Sequence, residues 1–363
     1  MFNRLPAFAS ENGATAGSPP PSIHPRLLAS ESTENPMENS GQLDARALLY
    51  VSIAMLTWSS AYAAIAYGLA GFTPGEVAFA RLLLGSVCFV VWMRVRRLPL
   101  PPASAWPPLL GLGVVGLAVY HLCLNYAETR IASGTAAIII ALSPAATAAA
   151  SALWLGERLS LRAVSGLGIA LAGVVLVVLA SGNNVSFQPK ALLVLVSVLV
   201  TSIYFTLQKP FSARYGAEAV TTVTILGGTL GTLPFGIGLP HAILTAPHAR
   251  IAALIWLGLA PTFLGYLTWN MAIHRASVSK VSSFIYASTP IALLISWVWL
   301  GERPGWATLI GGVIVVSGVV LTNTGARPSR PVTQSGSRLP QSGSRAAAAA
   351  RTTLRVSRSR TGT

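Results

Sequence analysis

Two ionisable side chains stand inside long apolar runs, and each needs a reason to be there. Arg81 lies about one and a half turns into the second run, and His121 roughly two turns from the end of the third. A charge at membrane depth costs about 2.5–3.5 kcal/mol near the centre on insertion scales, and less toward an end. Arg81 must therefore face protein, either as an anchor for an anionic group or as a partner of Glu76 or of loop carbonyls. Imidazole titrates near neutrality, so His121 is either a carrier of a coupling proton or a buried, neutral, hydrogen-bonded side chain. Pro144 and Pro290 fall mid-run. Each removes a backbone donor and frees the carbonyl four residues earlier, at Ile140 and Tyr286. Those carbonyls either bind a ligand or are re-satisfied by hydroxyls such as Ser143 and Thr289.

Amides and aromatics accompany these groups. Trp58, Ser59 and Tyr62 lie in the first run, Tyr120 and Asn125 in the third, Tyr204 in the sixth, Tyr266 and Asn270 in the eighth, and Tyr286 in the ninth. Such a set suits the cavity of an amphipathic small molecule. Tyr and Trp also populate interfacial belts, which is the reading for Trp106, Trp154, Trp299 and Trp306 near run ends. Glu128 closes the third run two residues before Arg130 and reads as an interfacial charge.

The elements that must position these residues follow from composition. Of 363 residues, 53% are hydrophobic and only 10% charged, against about a quarter charged in a soluble domain. Mean hydropathy is +0.62. A soluble chain with so few charges could not cover its surface, so the lipid bilayer is its solvent. A hydrocarbon core of about 30 Å needs roughly 20 apolar residues as helix. Ten such runs stand at 47–70, 76–94, 107–128, 132–154, 161–182, 190–208, 218–240, 251–273, 280–300 and 306–323. Backbone groups cannot stay unsatisfied in lipid, so the runs are predicted to be helices. The class is an all-α membrane protein with ten transmembrane helices.

The flanks differ from the body. Residues 1–46 are rich in Pro, Ser, Asn and Glu and are predicted to be disordered. The first apolar run starts too late for a secretory signal peptide, and Met37 is a second candidate start. Residues 324–363 hold eight Arg and no acid, against fourteen basic and five acidic residues in 47–323. This tail reads as disordered and topology-fixing; without aromatics for stacking it points to no nucleic acid. Loops after the even runs hold nine Lys or Arg, and those after the odd runs four. By the positive-inside rule both termini are cytoplasmic. Cys88 and Cys123 read as small buried hydrophobes, and no Cys or His spacing suggests a metal. Gly111, Gly113 and Gly116 formally spell G-x-G-x-x-G, but no strand precedes them, so close helix approach is the reading rather than nucleotide binding. No cofactor is expected.

An internal repeat organises the runs. Asn125-Tyr-Ala-Glu-Thr-Arg130 aligns with Asn270-Met-Ala-Ile-His-Arg275 at an offset of 145. At the same offset Leu155-Gly-Glu-Arg158 falls on Leu300-Gly-Glu-Arg303, Gly166 on Gly311 and Gly173 on Gly318, while Pro144 and Pro290 are one residue out of step. Glu157 and Glu302 read as caps of the helices that follow them. The halves are 47–182 and 190–323. Five helices per half is odd, so the second enters the membrane from the opposite side: an inverted repeat, the usual architecture of alternating-access transporters.

These features resemble the EamA-type family of the drug/metabolite transporter superfamily. The resemblance spans about residues 50–323 and rests on Trp58, on Pro74 with Arg81, on Pro144 and Pro290, and on the doubled Leu-Gly-Glu-Arg with its following glycines. It implies a ten-helix fold and the movement, often outward, of amino acids, metabolites or drugs. Families of this type often carry a Lys late in the first helix, where this chain has Ala66-Tyr67. The expected function is a secondary transporter of a small molecule in a bacterial plasma membrane. The alternatives are a non-transporting sensor or assembly subunit, and a membrane-embedded enzyme, for which paired carboxylates and metal clusters are missing from the sequence. Substrate and oligomeric state are not legible.

One orientation test follows. A phosphatase reporter active only outside the cytoplasm, fused after Thr363, is expected to be silent; activity there would invert the assignment.

Overall fold

The structure, a computed structural model, describes residues 44–155, 159–179, 189–275, 281 and 284–324. Gly156, Glu157 and Arg158 of the first Leu-Gly-Glu-Arg, both chain ends and Lys280 lie outside them. The described residues are helical throughout, with no strand among them. Eight helices are long and apolar enough to cross a membrane: α1 (Ala45–Gly68), α2 (Pro74–Val95), α3 (Ala103–Glu128), α4 (Ser133–Trp154), α5 (Leu161–Leu179), α6 (Ala191–Tyr215), α7 (Ala217–Gly236) and α8 (His248–Arg275). Two shorter apolar helices follow, α9 (Ile285–Leu300) and α10 (Trp306–Thr322). The seventh run does not reach residue 240 as one helix. Its end tightens into a 3₁₀ turn at Leu233–Gly236, and a separate short helix covers Leu239–Thr245. Pro234 and Pro240, each lacking an N–H, account for the break.

Local chemistry sets the helix starts. Asp44 caps α1 by accepting from Ala47 N at 2.7 Å. At α2, Thr73 and Glu76 form a capping box, with Pro74 at the first helical position. Glu76 is therefore committed to the Thr73 amide, at 2.8 Å. At α4 the cap comes from far away in sequence. Glu302 accepts from Ser133 N at 3.1 Å, Ser133 Oγ at 2.8 Å and Gly134 N at 3.2 Å. Glu302 was expected to cap the helix that follows it. The carboxylate instead answers the exposed amides of α4, in the other half, where Ala132 offers no side-chain cap.

The two mid-run prolines do not act alike. Pro144 stands just after a break between Ser133–Ile140 and Ser143–Leu155, whereas Pro290 lies inside the unbroken α9. The hydroxyls expected to mend the backbone do not: Ser143 Oγ and Thr289 Oγ1 are buried without a hydrogen-bond partner.

Helix contacts run through small residues. Built on Gly166, a Cβ would lie 2.5 Å from Gly318 O, and on Gly173, 2.9 Å from Gly311 O. The start of α5 thus meets the end of α10, and the two run antiparallel with their backbones touching. The G-x-G-x-x-G stretch does similar work against α7. A Cβ on Gly113 would lie 2.0 Å from Thr224 O, and one on Gly116 would meet the Tyr204 ring. Helices α1 and α8 are fastened at both ends. Arg275 pairs with Asp44 at 3.1 Å and lies over the Tyr50 ring. At the far end Arg250 donates to Tyr67 O and sits 3.7 Å from that ring's centroid. Tyr67 in turn stacks on Trp299 of α9.

Two expectations follow for stability, read as melting temperature of the purified chain. Gly173→Leu should destabilise by about 1–3 kcal/mol or more through overpacking, whereas Gly168→Leu, with nothing within 4 Å, should be near neutral. Equal shifts would argue against the α5–α10 contact. Glu302→Ala should cost about 1–3 kcal/mol, since it orphans amides of α4, and Glu302→Gln should cost less.

Candidate functional site

The site begins with a defect in α8. Pro261 has no N–H to give Leu257 O. The hydroxyl of Thr262 replaces it, donating to Leu257 O at 2.7 Å, and the chain widens into a π turn over Gly258–Leu264. Such turns recur at functional positions. This one presents two groups to the first half. Pro261 O accepts from Trp58 Nε1 at 3.0 Å, and Thr262 Oγ1 accepts from Arg81 Nε at 3.2 Å. Close approach is permitted by glycines on both sides: a Cβ on Gly85 would lie 2.5 Å from Thr262 Cγ2, and one on Gly258 would lie 2.5 Å from Leu84 Cβ. A second π turn, Val114–Ala118 in α3, falls within the repeat-equivalent stretch and leads directly into Tyr120 and His121.

Arg81 is the centre of what these turns assemble. It is buried, and Tyr62, Tyr120, Tyr266 and Glu128 all lie near enough to feel its charge. His121 lies within the same reach. Both of its ring nitrogens are buried without a hydrogen-bond partner, so the hydrogen-bonded alternative is not met among the described residues. The Glu76 pairing for Arg81 is likewise not met, because Glu76 serves the α2 capping box. Glu128 stands at the end of α3, as expected, and is buried in protein there, with the Ala66 N–H beside it.

The other expected residues divide. Trp58 adjoins the cluster, with its ring 5.6 Å from Tyr266 and 5.3 Å from Trp269. Ser59 Oγ ties α1 to α9 by donating to Ser288 O at 2.9 Å. Tyr286 packs on the same apolar cluster as Tyr62 and Tyr120. Tyr204 does not join them. It is fully buried between α3 and α7, and its hydroxyl meets Thr224 Oγ1 at 3.1 Å. The matched asparagines serve as helix ties. Asn125 Nδ2 donates to Pro74 O at 3.0 Å, and Asn270 Nδ2 to Thr221 Oγ1 at 3.5 Å. Each joins the third helix of its half to the first turns of the second. Pro144 and Pro290 shape α4 and α9 as described above.

Pro261 and Thr262 are the residues that the sequence reading missed, and Glu128 is one that it did not place near Arg81. A Pro-Thr pair inside an apolar run was the available signal for the first two. For Glu128 it was the repeat, which pairs it with Ile273, an apolar residue.

Comparison with known proteins agrees with this architecture. The model of the EamA-like transporter family matches the chain twice, over residues 45–179 and 188–324. A protein of Streptantibioticus cattleyicolor named "Probable terminal-alkyne amino-acid exporter" is 32% identical, over 77% of this chain and 94% of its own. The "Pseudopaline exporter" of Pseudomonas aeruginosa is 26% identical over 76% of this chain and 96% of its own. A solved crystal structure, 24% identical and covering 77% of this chain and 97% of its own, has the same fold at a TM-score of 0.54. Two family matches that together span nearly all of the described helices, and a relative of this identity and coverage, place the chain plainly: it is an integral membrane protein of the EamA-like transporter family.

Proposed function

We propose that the chain is a secondary transporter that exports a small metabolite, amino acid or drug by alternating access between two inverted five-helix halves, in a bacterial plasma membrane with both termini in the cytoplasm. The observation that carries the reading is the contact of α5 with α10. Gly166 and Gly311 are repeat-equivalent, as are Gly173 and Gly318. The contacts join Gly166 to Gly318 and Gly173 to Gly311. Exchanging the two halves turns each contact into the other, as a two-fold axis requires. With antiparallel helices, that axis lies in the membrane plane, the relation between halves of many alternating-access transporters. The paired π turns support the same relation. Relatives named as exporters support outward movement. They include a "Probable amino-acid metabolite efflux pump" of Salmonella typhimurium, 22% identical over 78% of this chain and 97% of its own.

Arg81, His121, Glu128 and the tyrosines around them form the binding chamber in this reading, with Trp58 beside it. Everted vesicles from cells producing the chain should accumulate labelled small molecules from a panel of amino acids, nucleosides and drugs, above vesicles without it. Thr262→Val, which removes the acceptor of Arg81 and the hydroxyl on Leu257 O, should lower uptake about tenfold or more. Uptake no greater than in control vesicles for every member of the panel would sink the proposal.

A further inference from the structure

Helices α4 and α9 occupy equivalent places in the two halves, and they are fastened to each other at one end. By loop charge this is the outer end. There Ser133 Oγ and Ser296 Oγ share a hydrogen bond at 2.8 Å, with both side chains buried. Glu302 closes over the pair, accepting from Ser133 N at 3.1 Å, Ser133 Oγ at 2.8 Å and Gly134 N at 3.2 Å. The end of α9 aims that carboxylate. Gly301 makes a left-handed turn at φ +70°, its N–H bonds Trp297 O at 3.0 Å, and the Glu302 N–H bonds Ser296 O at 3.3 Å. Ser296 thus holds Glu302 by its carbonyl and Ser133 by its hydroxyl. Farther in, the two helices part. Helix α9 packs on Ser133–Ile140, the outer part of α4, and hardly meets Ser143–Leu155, the inner part.

The inner end has the same serine and uses it differently. Ser151 is the repeat equivalent of Ser296, and each stands four residues before the leucine of its Leu-Gly-Glu-Arg. Ser151 is held by α6, its hydroxyl accepting from Lys209 Nζ at 3.0 Å. The other seams between the halves lack this asymmetry. Helices α1 and α8 are clasped at both ends, and α5 and α10 touch backbone to backbone at two levels. A device built twice and closed across α4 and α9 on one side is what a path open to alternate sides requires. The contact is also one that water can replace. Its groups are amides, hydroxyls and a carboxylate, and a cavity of about 130 Å³ lies beside them, between Gly134, Thr135, Ser296, Glu302 and Arg303. We infer that Ser133, Ser296 and Glu302 form the outer gate of the transport path, shut in this structure and parted when the cargo leaves. The inference rests on the alternating-access reading and its orientation, and it names the joint which that reading needs.

The test uses the full chain with Cys88→Ala and Cys123→Ala, which remove the native thiols. Ser133→Cys with Ser296→Cys then puts two sulfurs where the hydroxyls are 2.8 Å apart, close enough for a disulfide. Oxidation should link α4 to α9 and lower flux of any cargo moved by that background about tenfold or more, and reduction should restore it. Single-cysteine variants should not respond to either reagent. A link that forms and leaves flux unchanged would overturn the gate while export stands, and so would a pair that never links. A second measurement needs no flux. Tyr62→Cys sets a thiol in the chamber, to be labelled by a membrane-impermeant maleimide in intact cells and in everted vesicles. Adding Glu302→Ala removes the charge-assisted bonds of the shut gate, so labelling from outside should rise about tenfold, and labelling from inside should not. A merely structural loss would speed labelling from both sides, and that result, or no change on either side, overturns the gate. Faster labelling from inside alone overturns it as an outer gate. Faster labelling from outside, in a chain that moves no member of the panel, would support the gate and overturn export.

Discussion

A guanidinium buried among apolar helices is the constraint on which the assembly turns. Arg81 cannot shed its charge, so it must find an acceptor. The acceptor is a hydroxyl on α8, in the other half of the chain. That contact requires α2 and α8 to approach until only glycine fits at Gly85 and Gly258. It also requires the hydroxyl to be fixed, which Pro261 arranges by leaving Leu257 O for Thr262 to satisfy. One missing backbone hydrogen bond thus positions a charge, a widened turn and, through Pro261 O, the indole of Trp58. The halves are joined by polar chemistry at their centre and by bare backbone at their edge, where α5 meets α10.

The scaffold is repeated, but its chemistry is not. Both halves have a π turn in the third helix and an asparagine near that helix's end tied to the second helix. Two ionisable residues of the first half have no counterpart of their own kind in the second. His121 falls on Tyr266 and Glu128 on Ile273. The polar hub of the second half is the neutral contact of Tyr204 with Thr224. Duplicated asparagines and glycines hold the helices together, while His121 and Glu128 are particular to the first half.

Much of this was legible in the sequence, for physical reasons. Apolar length reports membrane helices because lipid imposes one demand on every backbone group. The glycines at 111, 113 and 116 were legible as a close helix approach, and those at 166, 173, 311 and 318 as a repeat, whose contact only the structure shows. Arg81 and His121 announced themselves by their cost. What could not be read was partnership across long stretches of chain. Glu302 meets Ser133 across a separation of 169 residues, and a capping carboxylate looks the same in sequence whichever helix start it serves. Glu128 looked interfacial because it ends a run; only the packing of its neighbours covers it. Pro144 and Pro290 looked like one device, whereas α4 breaks just before the one and α9 runs on through the other.

Helices α1 and α8 are clasped at both of their ends, by Arg275 on Asp44 and Tyr50 and by Arg250 on Tyr67. Between those ends Trp58 hydrogen-bonds to Pro261 O. Two rods fastened at three levels are braced against sliding or splaying apart. They come from opposite halves of the repeated chain, so the seam between the repeats is stitched here along its whole length.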